Sequence, residues 1–437
     1  MTLKEILNKG FAVLMMRSLG AGLAFLLILL FARWLGVEQF GLFSLGLTLV
    51  MILGVISRWG LEQVTLKQVA AHLKNEPGIA KGYVTSGLKL SFIFSLIVAV
   101  FLWGTASWLE LSVFQMIGLE NVLINFALSI IFISVVFILA EAFKAIGLPV
   151  WASFFQSVMP PTSILLVAGY LHWNDVFKVQ DAAVTYSLGF AFTFLIALVF
   201  WKKKAPDGQL NTIPKRDLIK QGWPMLLVAS GALIMNWSDL IIAGIYLDEV
   251  QVGIYNAASK TVMVTILMLV AVNSLTAPKF AKFYKQNDLK AIASLAQLSS
   301  LVLLVTVSIP TAILLFFSEW VMGWFGSEYV SGATVLMILA VGQFVNVACG
   351  SVGYLLTMTG KENTMRNIML TTAIVNIVLS ISLVEYYGIL GIAIATAISM
   401  SLWNVWAMIE VRKQLGFWTI SLNLFLQLIN RKKAGLL

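Results

Sequence analysis

Charged residues are scarce in this chain. Asp, Glu, Lys and Arg make up 11% of the 437 residues, whereas hydrophobic residues make up 60%. The mean hydropathy of +0.93 lies above the range of soluble domains, which excludes a soluble enzyme or binding module. The single cysteine, Cys349, excludes an internal disulfide. The two histidines, His72 and His172, lie far apart in sequence and form no cluster of metal ligands.

Long apolar runs dominate the rest of the sequence. A helix of about 20 apolar residues spans the hydrocarbon core of a bilayer. Twelve such runs are present, at 11–32, 41–60, 82–104, 121–142, 149–171, 181–201, 222–246, 253–276, 291–317, 331–358, 366–385 and 389–410. They predict an all-α polytopic membrane protein with twelve transmembrane helices.

The cations are unevenly distributed between these runs. Of the 29 Lys and Arg residues, 23 lie in alternate gaps, and only Arg33 and Lys178 lie in the remaining gaps. Because Lys/Arg-rich loops stay in the cytoplasm, both termini are predicted to be cytoplasmic. The basic residues flank membrane helices, where they attract anionic lipid. We therefore expect membrane lipids, and no nucleic acid, as partners despite a pI near 9.5.

One polar stretch divides the spans into two sets of six. Residues 202–216 contain Pro, Gly and several charges, and they read as a cytoplasmic linker between lobes 1–201 and 217–413. The tail, 414–437, has apolar residues on one helical face and a basic end. We predict an interfacial helix over 417–429, with a thirteenth span as the alternative.

The two halves are similar at an offset of 212 residues. LGVEQFGLF, which begins at Leu35, aligns with LDEVQVGIY, which begins at Leu247. The identical pairs are Leu35/Leu247, Gln39/Gln251 and Gly41/Gly253. A duplicated six-helix lobe follows, and because six is even, the pseudo-two-fold axis runs along the membrane normal. Transporters built from parallel repeats place their site between the lobes and use alternating access.

Three segments then resemble a known family. The segments are LGVEQFGLFSLGLTL at 35–49, RWGLEQVTLKQVA at 58–70 and NWSDLIIAGIYLDEVQVGIYNAASK at 236–260. The first two resemble the first-to-second helix signature of oligosaccharide flippases in the multidrug/oligosaccharidyl-lipid/polysaccharide exporter superfamily, and the third resembles that family's seventh and eighth helices.

This resemblance implies a function. Such flippases move undecaprenyl-pyrophosphate-linked repeat units, for O-antigen or another surface polysaccharide, from the cytoplasmic to the periplasmic leaflet. It implies a bacterial inner-membrane carrier, not an enzyme, that works beside a polysaccharide polymerase and a chain-length regulator. The sequence predicts no cofactor, and it leaves coupling to H⁺ or Na⁺ open.

Four cations inside predicted spans are the candidate cargo-binding residues. A charge within a span is costly and is usually retained for function. Arg17, Arg58, Lys89 and Lys260 would line a positively charged cavity for a pyrophosphate. The alternative for the first three is that their long side chains reach the cytoplasmic interface. No basic interface lies near Lys260.

Asp239 is the predicted acid deep within a span. It would bind H⁺ or Na⁺ during transport, with a structural ion pair as the alternative. A second acid, Glu141, is predicted to pair with Lys144 at a helix end.

Two other functions compete with a flippase. A membrane enzyme acting on lipid-linked sugars would need a constellation of catalytic carboxylates or a long outward loop, and neither is evident. A multidrug antiporter of the same superfamily would favour acids in its cavity, because its cargo is cationic, and four cations against one acid argue for the flippase.

Overall fold

The computed structural model describes residues 3–174, 177–209 and 211–420, and in these ranges all regular structure is helical. Backbone polar groups in lipid must be paired within the chain, which a helix achieves. The α-helices are α1 Leu3–Arg58, α2 Leu61–His72, α3 Pro77–Trp108, α4 Leu119–Ala145, α5 Pro149–Ser153, α6 Met159–Trp173, α7 Val179–Lys204, α8 Lys215–Tyr246, α9 Glu249–Val262, α10 Ile266–Lys285, α11 Leu289–Phe316, α12 Ser318–Gly323, α13 Ala333–Ala348, α14 Val352–Met358, α15 Glu362–Tyr387 and α16 Ile389–Leu415. Short π-helical turns (Leu109–Phe114, Phe154–Val158) and 3₁₀ turns (Met263–Thr265, Ser327–Gly332) connect some of them.

Ten helical stretches in the described residues are long and apolar enough to cross a membrane. The first, Gly10–Arg58, contains two of the predicted spans, because α1 continues through a kink at Gly36 instead of ending there. Helix α8 contributes a shorter apolar stretch, Trp237–Tyr246. A multi-pass helical membrane protein is thus confirmed, whereas the count of twelve spans stays a prediction.

The chain separates into two compact units, Met1–Asn256 and Ala257–Leu437. The first unit includes α8, which the sequence assigned to the second lobe. Contacts at the N-terminal end of α8 explain this. Trp59 Nε1 donates to the Ile219 carbonyl at 3.3 Å, and Gln68 Nε2 donates to Gln221 Oε1 at 2.6 Å. The division into lobes of six helices stays a prediction.

The predicted linker is fastened to the first unit. Asn211 N donates to the Gly78 carbonyl at 3.3 Å. Ile213 is buried in a cluster with Leu61, Leu90 and Ile138. An apolar side chain removed from water in this way holds the segment against α2, α3 and α4.

Helix α4 is the centre of the first unit, and it packs against α1, α3 and α7. It is apolar on nearly all sides, as expected of a helix surrounded by others. In the second unit, α16 packs against α13 and α15, and Asn404 Nδ2 donates to Asn346 Oδ1 at 2.9 Å. Helix α16 ends at Leu415, and residues 417–420 are not helical. The rest of the predicted interfacial helix, 421–429, lies outside the described residues.

Helix boundaries recur at the offset of the sequence repeat. The kink at Gly36 corresponds to the break between α8 and α9 at Leu247–Asp248. Glu76 immediately precedes α3, and Asp288, 212 residues later, immediately precedes α11. These positions fit the predicted duplication, although complete two-lobe symmetry stays a prediction.

Equivalent residues of the repeat also meet where α1 crosses α9. A Cβ on Gly41 would overlap the Glu249 carbonyl oxygen, and a Cβ on Gly253 would overlap the Val37 carbonyl oxygen. The 212-residue offset converts one contact into the other, because Gly41 corresponds to Gly253 and Val37 corresponds to Glu249. Beside them, Asn256 Nδ2 donates to Ser44 Oγ at 2.7 Å, and these two residues are also 212 apart. Glycine at both positions lets the two backbones approach closely, as at small-residue crossings of membrane helices.

Candidate functional site

Arg58 is buried and already neutralised. Its Nε lies 2.5 Å from Glu62 Oε2, and its guanidinium carbon lies 4.5 Å from the centre of the Phe137 ring. Trp59 and Gly60 take positive φ values between α1 and α2, and Glu62 is thereby brought back to Arg58. A paired, buried arginine has little free charge for cargo. The sequence reasoning overlooked Glu62, although a spacing of four residues is a signal for such a pair.

A second ion pair lies in the same unit. Lys144 Nζ is 2.6 Å from Glu141 Oε1, which confirms the predicted contact. The Glu141 side chain is 7% exposed and that of Lys144 is 33% exposed. The lysine thus reaches outward while the carboxylate stays buried, as is typical of an amphipathic cation at a helix end.

Arg17 lies exposed on α1, between the exposed side chains of Met15 and Leu19. In the part of the chain that the structure describes, no acidic group lies within ion-pairing distance of it. Its guanidinium is therefore available to an anion. Gly20, one turn away, packs directly on the backbone of Ser157 and fixes this part of α1 against the π-helical turn.

Lys89 lines an open cavity of about 440 Å³ in the first unit, and Lys215 lines the same cavity. The other residues of its lining are Leu88, Phe92, Ile93, Val135 and Phe194, all apolar. The sequence placed Lys215 among the cations of the linker. No local signal connects it to Lys89, because the docked linker brings the two together.

Asp239 and Lys260 belong to the region of α8 and α9. Asp239 Oδ2 accepts a hydrogen bond from the Tyr255 hydroxyl at 3.2 Å, and Tyr255 is 2% exposed. Asn256, which follows Tyr255, bonds to Ser44. Lys260 lies one turn further along α9 and is half-buried. Polar groups are thus concentrated on α9, next to the crossing with α1.

The predicted cations do not converge on one contact network. Arg17, Arg58 and Lys89 make no hydrogen bond or ion pair with one another in the described ranges. Among the described residues, no group of three or more His, Cys, Asp or Glu side chains is placed to hold a metal ion. The arrangement therefore offers separate anion contacts, together with a half-buried acid, Asp239, that accepts a hydrogen bond from Tyr255.

Comparison with known proteins gives a family match and similar folds. Residues 6–284 match the model of a family described as "Polysaccharide biosynthesis protein". The probable low-salt glycan biosynthesis flippase Agl15 of Haloferax volcanii is 27% identical over 391 residues, which cover 87% of this chain and 78% of that protein.

Two solved structures share the fold. An inward-facing multidrug resistance MATE family transporter of the MOP superfamily aligns with a TM-score of 0.77 at 15% identity, over 94% of this chain and 98% of that one. The lipid II flippase MurJ, in an inward closed conformation, aligns with a TM-score of 0.76 at 15% identity, over 93% and 87%. At this identity, the likeness concerns the fold.

Proposed function

Because the chain belongs to the polysaccharide biosynthesis protein family, we propose that it is a flippase for lipid-linked oligosaccharides. The family match over residues 6–284 carries this proposal, and the glycan flippase relative supports it. The cargo would be an undecaprenyl-pyrophosphate-linked repeat unit of a surface polysaccharide such as O-antigen. It would move by alternating access from the cytoplasmic to the periplasmic leaflet of a bacterial inner membrane, with polymerase and chain-length regulator as downstream partners.

Arg17 and Lys260 are the cations that we assign to the pyrophosphate. Arg17 is exposed in the first predicted span and is not used by an acid of the described residues. Lys260 lies within a helix that carries Asp239's hydrogen-bond donor, Tyr255. Arginine holds phosphate oxygens with two parallel hydrogen bonds, whereas lysine acts as a point charge. Arg58 is left out of this assignment, because Glu62 neutralises it.

The experiment is an export assay in cells. Loss of the protein should leave the lipid-linked repeat unit in the cytoplasmic leaflet, where a membrane-impermeant label added to spheroplasts cannot reach its glycan. Arg17→Gln and Lys260→Gln should each reduce labelling by about tenfold, since each removes a hydrogen bond to a charged group. Lys178→Gln, on an exposed loop, is the matched control. Full labelling in cells without the protein would refute the function.

Asp239 is proposed as the ion-coupling group. The hydroxyl of Tyr255 holds one carboxylate oxygen in place. Uptake of H⁺ or Na⁺ by this acid would change the charge of α8 during the cycle. Asp239→Asn should abolish the dependence of transport in proteoliposomes on an imposed ion gradient. Retained dependence on the gradient would remove Asp239 from coupling.

The half-buried acid Asp239 also keeps a multidrug antiporter as the second candidate. A cationic drug would pair with Asp239, and the fold is shared with a multidrug transporter. Increased drug sensitivity after gene deletion, with normal exposure of the lipid-linked glycan, would favour this alternative.

A further inference from the structure

The cavity that contains Lys89 and Lys215 is a groove between α3 and α7. Leu88, Phe92 and Ile93 come from α3, Phe194 comes from α7, and Val135 of α4 forms part of the floor. Its volume of about 440 Å³ lies within the range of sites that bind small molecules. All of these residues belong to the first unit, so the groove is formed within one compact body.

The groove opens onto an apolar surface. On α3, Lys89 shares a helix face with Phe92, Ile93, Leu96 and Val100, which are 39–58% exposed. Neighbouring residues of α7 are exposed and apolar as well, among them Leu195 at 58%. In a membrane-spanning helix, such a face is suited to hydrocarbon chains. A molecule that enters the groove from this face would therefore be a lipid.

The docked linker contributes Lys215 to the lining of the groove. Asn211 bonds to Gly78, and Ile213 is buried against α2, α3 and α4. These contacts fix the start of α8, and Lys215 is its first residue. Two exposed lysines thereby line one cavity although they lie far apart in sequence, and their apolar stems form part of its wall. Two lysines above an apolar groove complement a phosphate headgroup above an acyl chain.

The composition of the lining distinguishes between lipids. Of the described residues that line the groove, only Lys89 and Lys215 are polar. A glycan carries many hydroxyl groups, which need both donors and acceptors, and two lysines offer donors only. The lining therefore suits a lipid whose polar part is a small anion.

We propose that this groove binds an anionic phospholipid, with the headgroup phosphate between Lys89 and Lys215 and an acyl chain along Phe92, Ile93 and Phe194. This site is separate from the cargo contacts, and it does not depend on the proposed function. It gives Lys89 a role in holding the first unit in the membrane through the leaflet that the basic loops face.

The test uses the purified full-length chain in detergent, titrated with phosphatidylglycerol or with zwitterionic phosphatidylcholine and measured by native mass spectrometry. The wild-type protein should bind one phosphatidylglycerol more tightly than phosphatidylcholine. K89Q combined with K215Q should weaken this binding roughly 30-fold, since each cation near an anionic lipid surface contributes about fivefold. K89R combined with K215R should restore it. Lys290→Gln, an exposed lysine in the first turn of α11, is the matched charge control.

A second pair of variants tests the apolar part of the groove. Ile93→Trp fills the cavity and leaves both lysines, and it should also weaken binding, whereas Leu96→Trp on the same face lies outside the lining and should not. Equal binding of the two lipids, or unchanged binding after removal of both lysines, would overturn the proposal. Displacement of the bound phosphatidylglycerol by an equimolar polyprenyl phosphate would also overturn it, because the groove would then be a cargo site.

Discussion

The crossing of α1 and α9 predicts a specific effect of adding one methyl group. In Gly41→Ala, the new Cβ would overlap the Glu249 carbonyl oxygen and lie 2.6 Å from its carbonyl carbon. The obstacle is backbone, which cannot rotate away as a side chain does. The two helices must therefore separate, or the substitution must distort one of them.

The expected change in the free energy of unfolding of Gly41→Ala follows from two opposing effects. Overpacking a tight contact costs about 1–3 kcal/mol, and a backbone obstacle places this case at the upper end. Alanine also favours the helix over glycine by about 0.5–1 kcal/mol. The free energy of unfolding should therefore fall by about 2 kcal/mol. Gly104→Ala, where no atom lies within 4 Å of the new Cβ, should show only the favourable effect.

The repeat supplies a sharper version of this test. Gly253→Ala meets the Val37 carbonyl oxygen at the equivalent contact, so it should destabilise the protein by a similar amount. Once the helices have separated to admit one methyl group, the second should cost less. The double variant should therefore be less destabilised than the sum of the two single variants. Thermal unfolding of the purified proteins, followed by tryptophan fluorescence in one detergent, measures all four variants. Full additivity, or a Gly41→Ala protein as stable as Gly104→Ala, would refute the shared crossing.

Two further predictions concern the first unit. Glu62→Gln leaves the buried guanidinium of Arg58 without its carboxylate and should lower the free energy of unfolding by about 3–5 kcal/mol. The double variant Arg58→Met with Glu62→Leu should recover most of that loss, and equal stability of the single and double variants in thermal unfolding would contradict a buried pair. Ile213→Ser should release the linker and increase proteolysis between residues 202 and 216, and an unchanged cleavage rate relative to the exposed substitution Lys204→Ser would contradict docking of that segment.

The repeat can be predicted from the sequence because equivalent positions of the two halves make the same contact and therefore need the same residue. Gly41 and Gly253 are identical at the predicted offset, and both lie at the same helix crossing, where a side chain would not fit. A close contact between backbones restricts both positions to the smallest residue. The kink at Gly36 is different, because its equivalent, Asp248, lies at a true break between helices. Sequence periodicity alone does not separate a kinked helix from two helices, so it predicts two spans where the structure has the single kinked helix α1.

The buried pair of Arg58 shows why single charges are hard to interpret from sequence. When the second span is taken to end at residue 60, Glu62 lies in a loop and Arg58 is an isolated cation within the membrane. The positive φ values of Trp59 and Gly60 allow a sharp connection, and α2 begins immediately at Leu61. A shift of a few residues in one boundary thus changes an isolated cation into a neutral pair.

Lys215 is the opposite case, because the sequence places it outside the spans whereas the structure places it in the lining of the cavity that contains Lys89. The sequence counted it among the 23 cations that set topology, whose individual positions matter little because orientation depends on their sum. Its place beside Lys89 depends on Ile213, a single buried apolar residue in a polar stretch, and one such residue has no periodicity to detect. Position inside or outside a span therefore does not divide these cations by role. The surroundings of each side chain distinguish the cations instead. Arg58 has a carboxylate beside it, whereas Lys89 and Lys215 line one apolar groove. The same criterion favours Arg17 over Arg58 as a cargo contact, because only a cation without an acidic partner retains its attraction for a pyrophosphate.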